Sequence, residues 1–344
     1  MKQNDKPAAP VAVIILNWNG SRLLRRYLPS VVATTDPAIG RVIVVDNGSD
    51  DDSLEVLRRE FPEVETIAFD KNLGFAAGYN KAIEMTRYPY TVLLNSDVRT
   101  SEGWLQPLYD YMEAHPEVGA IQPKLLSDSD PSSFEYAGAC GGFIDRNGYP
   151  FCRGRIFADC EHDEGQYDSV ADIFWATGAC LMVRSELYLS VGGLDSRFFA
   201  HMEEIDLCWR ILLSGHSIKA VPDSKVYHLG GGSLPASNPR KTYLNFRNNL
   251  LMLHKNLPDS VRASKLFKRR LLDTLAWAKF VATFDFKNAA AIVRAHRDFA
   301  RMRRDYNSHP NRNLLAERPD ARTNILTAYY LKGIRKFSDL PSHL

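Results

Sequence analysis

Asp97 follows a short apolar run at residues 92–94, within the sequence Asn95-Ser96-Asp97. A carboxylate at a strand end suits a divalent cation such as Mg²⁺ or Mn²⁺ that bridges two phosphates, because these ions take one or two carboxylates plus phosphate oxygens. His228 follows another short apolar run and is a further candidate ligand, although a lone strand-end histidine is more often structural. Asp97 therefore predicts a metal site, with His228 as a candidate second ligand.

A second acidic cluster lies at residues 202–210, in the sequence MEEIDLCWR. On a helix Glu203 and Asp206 share a face, whereas Glu204 points elsewhere. A carboxylate with a raised pKa beside a substrate hydroxyl can act as a general base, and a second acidic residue can brace the helix. The alternative is that the negative charges only stabilise a helix N-terminus through its dipole.

The elements that must position these residues begin with four β-rich runs, at 11–16, 41–45, 64–69 and 91–94. Runs that are apolar throughout, separated by amphipathic segments, predict a mostly parallel sheet covered by helices on both faces. Ligands of such sheets bind beyond the carboxyl ends of the strands. Each run is followed by Asn, Asp or Gly, as this rule requires: Asn17 and Asn19, Asp46 and Asn47, Asp70 and Asn72, Asn95 and Asp97.

Turn formation and helix capping are the alternative explanation for these polar residues. We accept it for Gly20, Gly48, Ser49 and Ser53. It is weaker for Asp46 and Asp97, because each carboxylate ends or closely follows a buried strand at the edge where a ligand would lie.

The remaining chain has less regular patterning. Residues 127–172 are rich in Gly and loop formers, so we expect a variable part of the site there, which would bind the acceptor of a transferred group. Residues 173–184 predict a strand entered through a glycine turn, and 218–221 and 225–228 predict two short strands. The glycine run 230–232 suits a mobile loop over phosphates, and the chain is predicted to be helical and basic from residue 258.

Composition excludes several classes of protein. The chain has 344 residues, 45% hydrophobic and 24% charged, as expected of a folded protein with one large domain and an addition. No apolar run is long enough to span a bilayer and the start lacks a secretory signal, so we expect a cytoplasmic location. Five widely spaced cysteines predict free thiols. A net charge of +2 argues against nucleic-acid binding.

The charge is uneven, because residues 262–304 carry +9 and the rest of the chain carries −7. Residues 289–304 have helical periodicity that sets apolar side chains against arginines. The apolar stripe comprises Ile292, Ala295, Phe299 and Met302, and the basic stripe comprises Arg294, Arg297, Arg301 and Arg304. Such a helix can contact an anionic membrane surface peripherally or pack its apolar stripe on the catalytic domain, and we leave both open.

Seven segments occur in order between residues 11 and 258: VAVIILNWNG, VIVVDNGSDDDS, NLGFAAGYN, VLLNSDV, FWATGACLMVRS, FFAHMEEIDLCWR and VYHLGGGS. Together they resemble family 2 inverting glycosyltransferases, especially the bacterial rhamnosyltransferase-like branch. The resemblance implies an α/β GT-A fold, with a mixed, mostly parallel sheet, over residues 1–258. Its donor half is about 10–125 and its acceptor half about 126–258, and a basic helical extension occupies 259–344.

The resemblance also implies roles for residues that match the motifs. The donor-binding set is Leu16, Asn17, Asn19, Asp46, Asn47, Asn72, Asn80, Asn95, Ser96 and Asp97. The acceptor-binding set is Trp175, Thr177, Gly178 and Asp206, the metal ligands are Asp97 and His228, and the catalytic pair is Glu203 and Glu204.

Three positions depart from the family pattern. Asn95 replaces the usual first Asp of the metal motif, which leaves Asp97 as the expected metal ligand. Glu204 replaces the catalytic Asp, so the choice between Glu203 and Glu204 as base stays open. Asn47 stands where many members have a second Asp.

The function implied is transfer of a sugar from a nucleotide-diphosphate donor to a hydroxyl of a glycan or lipid-linked acceptor, in bacterial cell-surface polysaccharide synthesis. UDP- or dTDP-sugars are expected, dTDP-rhamnose among them. The alternatives are a noncatalytic nucleotide-sugar-binding scaffold and a retaining hexosyltransferase. A dinucleotide-dependent oxidoreductase is disfavoured because no Gly-x-Gly-x-x-Gly follows the first strand. A homodimer is left open.

Overall fold

The computed structural model describes residues 9–230 and 238–341. The strands are β1 Val11–Asn17, β2 Gly40–Asp46, β3 Glu65–Ala68, β4 Tyr90–Leu94, β5 Val98–Thr100, β6 Val118–Ser127, β7 Gly142–Ile144, β8 Pro150–Cys152, β9 Arg155–Ile156, β10 Asp159–Cys160, β11 Ala171–Asp172, β12 Cys180–Arg184 and β13 Ser217–His228. The helices are α1 Ser21–Thr34, α2 Ser53–Glu60, α3 Phe75–Thr86, α4 Leu105–Ala114, α5 Ser185–Ser190, α6 Glu203–Leu213, α7 Pro239–Asn256, α8 Asp259–Ala282, α9 Phe286–Met302 and α10 Leu314–Glu317.

The main sheet has the strand order β11-β13-β6-β12-β4-β1-β2-β3, with β5 paired to β13. The strands β3, β2, β1 and β4 are parallel, and helices connect them, as the alternation of apolar runs and amphipathic segments predicts. Asn17 and Asp46 are register partners at the carboxyl ends of β1 and β2. The polar residues that follow these strands therefore meet at one edge of the sheet, and the predicted fold class is confirmed.

Two strand predictions need correction. In the segment 173–184 only Cys180–Arg184 is a strand, antiparallel to both β4 and β6. Residues 218–221 and 225–228 are not two strands, because β13 is continuous from Ser217 to His228. A register shift between Val221 and Lys225, against β6, accounts for the break in the apolar pattern.

The loop-rich region contains a small antiparallel sheet in the order β10-β9-β8-β7. The C-terminal residues pack back onto it: the Phe337 ring lies 5.0 Å from that of Phe143 and 5.8 Å from that of Tyr167. The backbone N–H of Ile325 donates to the buried Asp145 carboxylate. The segment after residue 305 thus contributes to the core around the small sheet.

The C-terminal helices begin earlier than predicted, because α7 starts at Pro239, with Asn238 as its N-cap. Helix α9 packs on α7 and buries Ile292, Ala295 and Phe299, while its arginines at 297 and 301 are exposed. This supports the packing interpretation for α9. Within the described residues no helix is both long and apolar enough to cross a membrane. Gly231 and Gly232 of the glycine run 230–232 lie outside those residues.

Candidate active site

At the end of β2 the Asp46 carboxylate is fully buried and links the neighbouring turns by hydrogen bonds. Its oxygens accept hydrogen bonds from the side chain of Asn17 at 3.0 Å, and from the hydroxyl and backbone N–H of Ser49 at 2.7 and 2.9 Å. The Ser49 hydroxyl in turn accepts from the backbone N–H of Asn19. Asp46 and Asn17 lie beneath the site, and Asn19 is the member of this group that lines the cavity.

Asn47 holds the loop at residues 72–74 in place by hydrogen bonds. Its amide donates to the side chain of Asn72 at 3.1 Å and to the carbonyl of Gly74 at 3.2 Å, and its oxygen accepts from the backbone of Leu73 at 2.9 Å. Gly48 has a φ of +71°, and a Cβ there would meet the backbone of Lys71 at 2.4 Å. Only glycine allows this approach, which holds Asn47 and Asn72 at the cavity wall.

Asp97 and His228 meet as the sequence predicted, because β13 pairs with β5 immediately after Asp97. The His228 Nε2 atom lies 3.1 Å from Asp97 Oδ1, and its Nδ1 atom lies 3.2 Å from Glu135 Oε1. Burial lowers the pKa of His228, but the two carboxylates outweigh it and raise the pKa to about 10. Glu135 was not predicted, since a lone acidic residue in a loop-rich stretch carries no local signal.

These residues fit a divalent cation. Asp97 and His228 both line the cavity, where Asp97 can supply an oxygen and His228 can supply a nitrogen once a cation displaces its proton, while Glu135 orients the far side of the imidazole. No group of three or more acidic, His or Cys residues in 9–230 and 238–341 forms a complete metal cage. An ion that completes its coordination with substrate phosphate oxygens needs no such cage.

Glu203 and Glu204 begin α6 and both line the same cavity, so Glu204 does not point away from Glu203 as the helical spacing suggested. One oxygen of each carboxylate is buried without a hydrogen-bond partner. Burial raises the pKa of Glu204 to about 7, against backbone N–H groups that lower it. Burial and the charge of Glu204 raise the pKa of Glu203 well above its ordinary value. A carboxylate that titrates near neutral pH is suited to general base catalysis.

The turn that precedes α6 has a strained backbone and is held in place by a side chain of α7. Phe199, His201 and Met202 all have φ between 68° and 73°, a region that non-glycine residues avoid. The Asn248 side-chain amide on α7 lies 2.7 to 2.9 Å from the carbonyl oxygens of residues 198, 200 and 201. Asn248 thereby fixes the position from which Glu203 starts the helix.

Trp175, Thr177 and Gly178, which were predicted to bind the acceptor, line the same cavity as this pair. A Cβ on Gly178 would lie 3.7 Å from that of Glu204, so the glycine adjoins the aliphatic part of the Glu204 side chain. The Trp175 indole donates to the carbonyl of Phe143, and the Thr177 backbone donates to the side chain of Gln122. Leu16, Asn95 and Ser96 complete the predicted residues at the cavity wall.

Besides Asn17 and Asp46, two further predicted site residues, Asn80 and Asp206, lie outside the cavity. The Asn80 amide is committed to the backbone of Leu194 and the hydroxyl of Tyr188. Asp206 is fully buried, and against the effect of burial Arg210 and Lys255 keep its pKa below the ordinary value. Both side chains therefore brace the scaffold. The bracing role suggested for one acidic residue of α6 falls to Asp206.

The cavity has a volume of about 1590 Å³, larger than the roughly 300 to 1,000 Å³ of ordinary small-molecule sites. Beyond the acidic pair it continues into a region that we call the apolar arm. The arm is lined by Leu272, Leu275, Ala276, Leu326, Tyr330 and Leu331.

Arg155, at the start of β9, also lines the cavity and was not predicted, because nothing distinguishes it locally from other basic residues.

Comparison with known proteins agrees with this geometry. Residues 12–155 match the model of the glycosyl transferase family 2. An N-acetylglucosaminyl-diphospho-decaprenol L-rhamnosyltransferase of Mycobacterium tuberculosis is 28% identical over 232 residues, which is 63% of this chain and 75% of that protein.

Two solved structures share the fold. One is Staphylococcus aureus TarS 1-349 in complex with UDP-GlcNAc, with a TM-score of 0.56, 14% identity, and coverage of 84% of this chain and 80% of that one. The other is the mannosyltransferase PcManGT of Pyrobaculum calidifontis with GDP-Man and Mn²⁺, with a TM-score of 0.50, 15% identity and 88% coverage of each chain.

A GT-A sheet with polar strand ends and a buried acidic pair opening on one cavity defines a nucleotide-sugar glycosyltransferase. Residues 12–155 match glycosyl transferase family 2, and the chain is similar to a mycobacterial L-rhamnosyltransferase.

Proposed function

We propose that the protein transfers a sugar, with inversion, from a UDP- or dTDP-sugar to a hydroxyl of a lipid-linked diphosphate glycan. The donor of choice is dTDP-rhamnose, because the mycobacterial relative is named as an L-rhamnosyltransferase that acts on a diphospho-decaprenol. The place in metabolism that follows is cell-surface polysaccharide synthesis. The observation that carries the proposal is that Asp97, His228 and Glu204 open onto one cavity.

The donor end of the cavity, lined by Leu16, Asn47, Asn72, Asn95 and Asp97, would hold the nucleotide. Asp97 and His228 would hold a Mg²⁺ or Mn²⁺ ion, which when bound neutralises the charge that develops on the leaving diphosphate. The interlocked amides of Asn47 and Asn72 keep this wall rigid, so the donor meets a site that needs little reorganisation.

Glu204 would remove the proton from the acceptor hydroxyl as its oxygen attacks the anomeric carbon from the face opposite the diphosphate. A base with a pKa of about 7 is deprotonated in a large fraction of molecules at neutral pH and can still accept a proton in the transition state. Attack from the opposite face gives the inverted anomer. Burial and the charge of Glu204 raise the pKa of Glu203, so a charged Glu204 favours the neutral form of Glu203.

The test is turnover of dTDP-rhamnose and UDP-GlcNAc with an N-acetylglucosaminyl-diphospho-polyprenol, with and without Mn²⁺. We expect metal-dependent release of nucleotide diphosphate and a product whose anomeric configuration, read by NMR, is inverted. A retained configuration would contradict the mechanism. Metal-dependent nucleotide binding without turnover on any acceptor would replace the enzyme with the noncatalytic scaffold.

A further inference from the structure

Helix α8 turns its apolar side chains outward. Of its 24 residues, only Arg269 and Asp273 are buried. Phe267, Leu271 and Leu275 follow one another at four-residue intervals and are 65%, 54% and 68% exposed. Residues at this spacing share one helix face, and a contiguous exposed apolar face marks an interaction site.

The orientation of α8 is fixed by polar contacts on its inner side. Arg269 donates to the side chain of Asn249 at 2.6 Å and to Asp273 at 3.1 Å, and the other Asp273 oxygen lies 3.0 Å from His296 Nε2. Rotating the helix to bury its leucines would expose this network and leave Asn249 and His296 without these partners, at a cost in free energy. The outward face is therefore built into the fold.

The same helix continues into the active-site cavity. Leu275 belongs both to the exposed face and to the apolar arm, where it lies with Leu272 and Ala276 opposite the segment 326–331. Tyr330 and Leu331 of that segment are 58% and 80% exposed. The cavity that the acidic pair lines is thus also lined by exposed residues of α8 and of the segment 326–331.

A buried cation lines the same cavity. Arg155 is 7% exposed and donates to the carbonyl of Phe157 and to the sulfur of Cys152. Its Nε atom is buried without a hydrogen-bond partner, and none of the ion pairs formed by the described residues involves it. A desolvated guanidinium without a counter-ion is costly, and its forked donors match phosphate oxygens. The site is complementary to an anion.

We propose that the apolar arm binds the hydrocarbon chain of a polyprenol-diphosphate acceptor and that Arg155 binds its diphosphate. The proposal rests on the proposed function, since its ligand is the acceptor of that reaction. One molecule with an anionic centre and an apolar tail satisfies both the buried cation and the apolar wall. The acceptor sugar then lies toward Glu204, and the rest of the chain leaves over the outward face of α8 toward the membrane.

The test measures binding of farnesyl diphosphate by calorimetry, with dTDP and Mn²⁺ present to fill the donor end. Inorganic pyrophosphate serves as the probe without a tail. We expect farnesyl diphosphate to bind at least about tenfold more tightly than pyrophosphate, because burying several methylene groups easily exceeds one decade in affinity. Equal affinities would overturn the apolar arm as a lipid site.

Two sets of variants separate the parts of the site. The double variant Leu275→Gln/Leu331→Gln should lose most of the advantage of farnesyl diphosphate and leave pyrophosphate unchanged, whereas Leu54→Gln, an exposed leucine on α2, should change neither. Arg155→Gln should weaken both probes about tenfold or more, with dTDP-dependent stabilisation kept as evidence of folding. Unchanged binding in either set would refute the corresponding contact.

Turnover distinguishes failure of this inference from failure of the proposed function. With an acceptor that carries a short alkyl chain, the control Leu54→Gln should have the wild-type kcat/KM, and the KM of the double variant should rise less than it does with the polyprenyl acceptor. With the polyprenyl acceptor the KM of the double variant should rise about tenfold. If the double variant instead treats both acceptors as the wild type does, the lipid site is refuted and the transferase stands. If the wild type turns over neither acceptor, the proposed function fails, whatever the binding result.

Discussion

The two ends of the cavity are built in opposite ways. At the donor end, polar side chains hold one another by hydrogen bonds. Asp46 accepts from Asn17 and Ser49, and Asn47 donates to Asn72. At the other end α8 buries the pair Arg269 and Asp273 and presents leucines to the apolar arm and to the surface. A donor of fixed shape suits the rigid end, whereas a hydrocarbon tail suits an apolar wall, because apolar contacts are not directional.

This contrast has a kinetic consequence. Changes at the donor end or in the acidic pair should reduce turnover with every acceptor, because they act on the donor or on the chemical step. Changes along α8 should matter most for acceptors with a long lipid. The following predictions test that division, from the largest expected effect on turnover to the smallest.

Replacing the base should have the largest effect. Glu204→Gln keeps the shape of the side chain but cannot accept a proton, so we expect kcat to fall about 10² to 10⁴-fold with short and long acceptors alike. Nucleotide-dependent stabilisation should be kept. Glu203→Gln is the matched control, and a larger loss there than in Glu204→Gln would transfer the role of base to Glu203.

Removing the metal ligand should come next. Asp97→Asn should abolish the rise in melting temperature that Mn²⁺ adds to UDP or dTDP binding, because an amide is a poor ligand for a hard cation. Glu135→Gln should retain the effect but weaken the apparent metal affinity about 10 to 100-fold, as loss of a partner that orients a histidine ligand does. Asp50→Asn, an exposed residue near the donor end, is the control. If Asp97→Asn keeps the manganese effect, Asp97 is not the ligand.

The pH dependence follows from the raised pKa of Glu204. The carboxylate must be ionised to act, so kcat should fall about tenfold for each pH unit below about 7 and level off above it. The sign for stability is the reverse: a group whose pKa is raised on folding contributes stability at low pH that is lost as the pH rises through about 7. Stability curves of Glu204→Gln should be flatter across this range, and identical curves would contradict the assignment.

A smaller effect is expected from the turn before α6. Asn248→Asp preserves size but removes the N–H donors that hold the carbonyls of 198, 200 and 201. Three strained residues would then be free to relax, and we expect kcat to fall about tenfold, because misplacing a catalytic group by a small distance is costly. The KM for the donor should not change, because the donor end is held by separate contacts. A change in donor KM without loss of kcat would contradict this positioning role.

Sequence reasoning predicted that the residues of the proposed donor end lie close together, because parallel strands place their carboxyl ends at one edge of the sheet. It therefore placed Asn47, Asn72 and Asp97 on one cavity. It did not find Glu135 or Arg155, whose roles depend on contacts across long sequence separations. From motifs it also predicted that Asn80 binds the donor and that Asp206 binds the acceptor. In the structure the Asn80 side chain instead bonds to Tyr188 and Leu194, and the Asp206 side chain bonds to residues 255 and 256.

The C-terminal helices show why periodicity alone left two interpretations of that region open. In α9 the apolar stripe packs inward on α7, as the burial of Phe299 shows. In α8 an equally apolar stripe faces outward, because the pair Arg269 and Asp273 occupies the inner side. Periodicity identifies a stripe, but only the neighbouring elements decide which side of a helix is covered.

A matched pair of substitutions tests this difference and should have the smallest effect on turnover. Phe299→Ala removes a buried ring and should lower the free energy of unfolding by about 3 to 5 kcal/mol. Phe267→Ala removes an exposed ring and should change it by no more than about 0.5 kcal/mol. Urea denaturation measures both. Turnover with the short acceptor should stay at the wild-type level in Phe267→Ala, since that side chain touches neither the donor end nor the acidic pair. If Phe267→Ala is as destabilising as Phe299→Ala, the outward face of α8 is covered in the folded protein, and the contrast between the two ends of the cavity no longer holds.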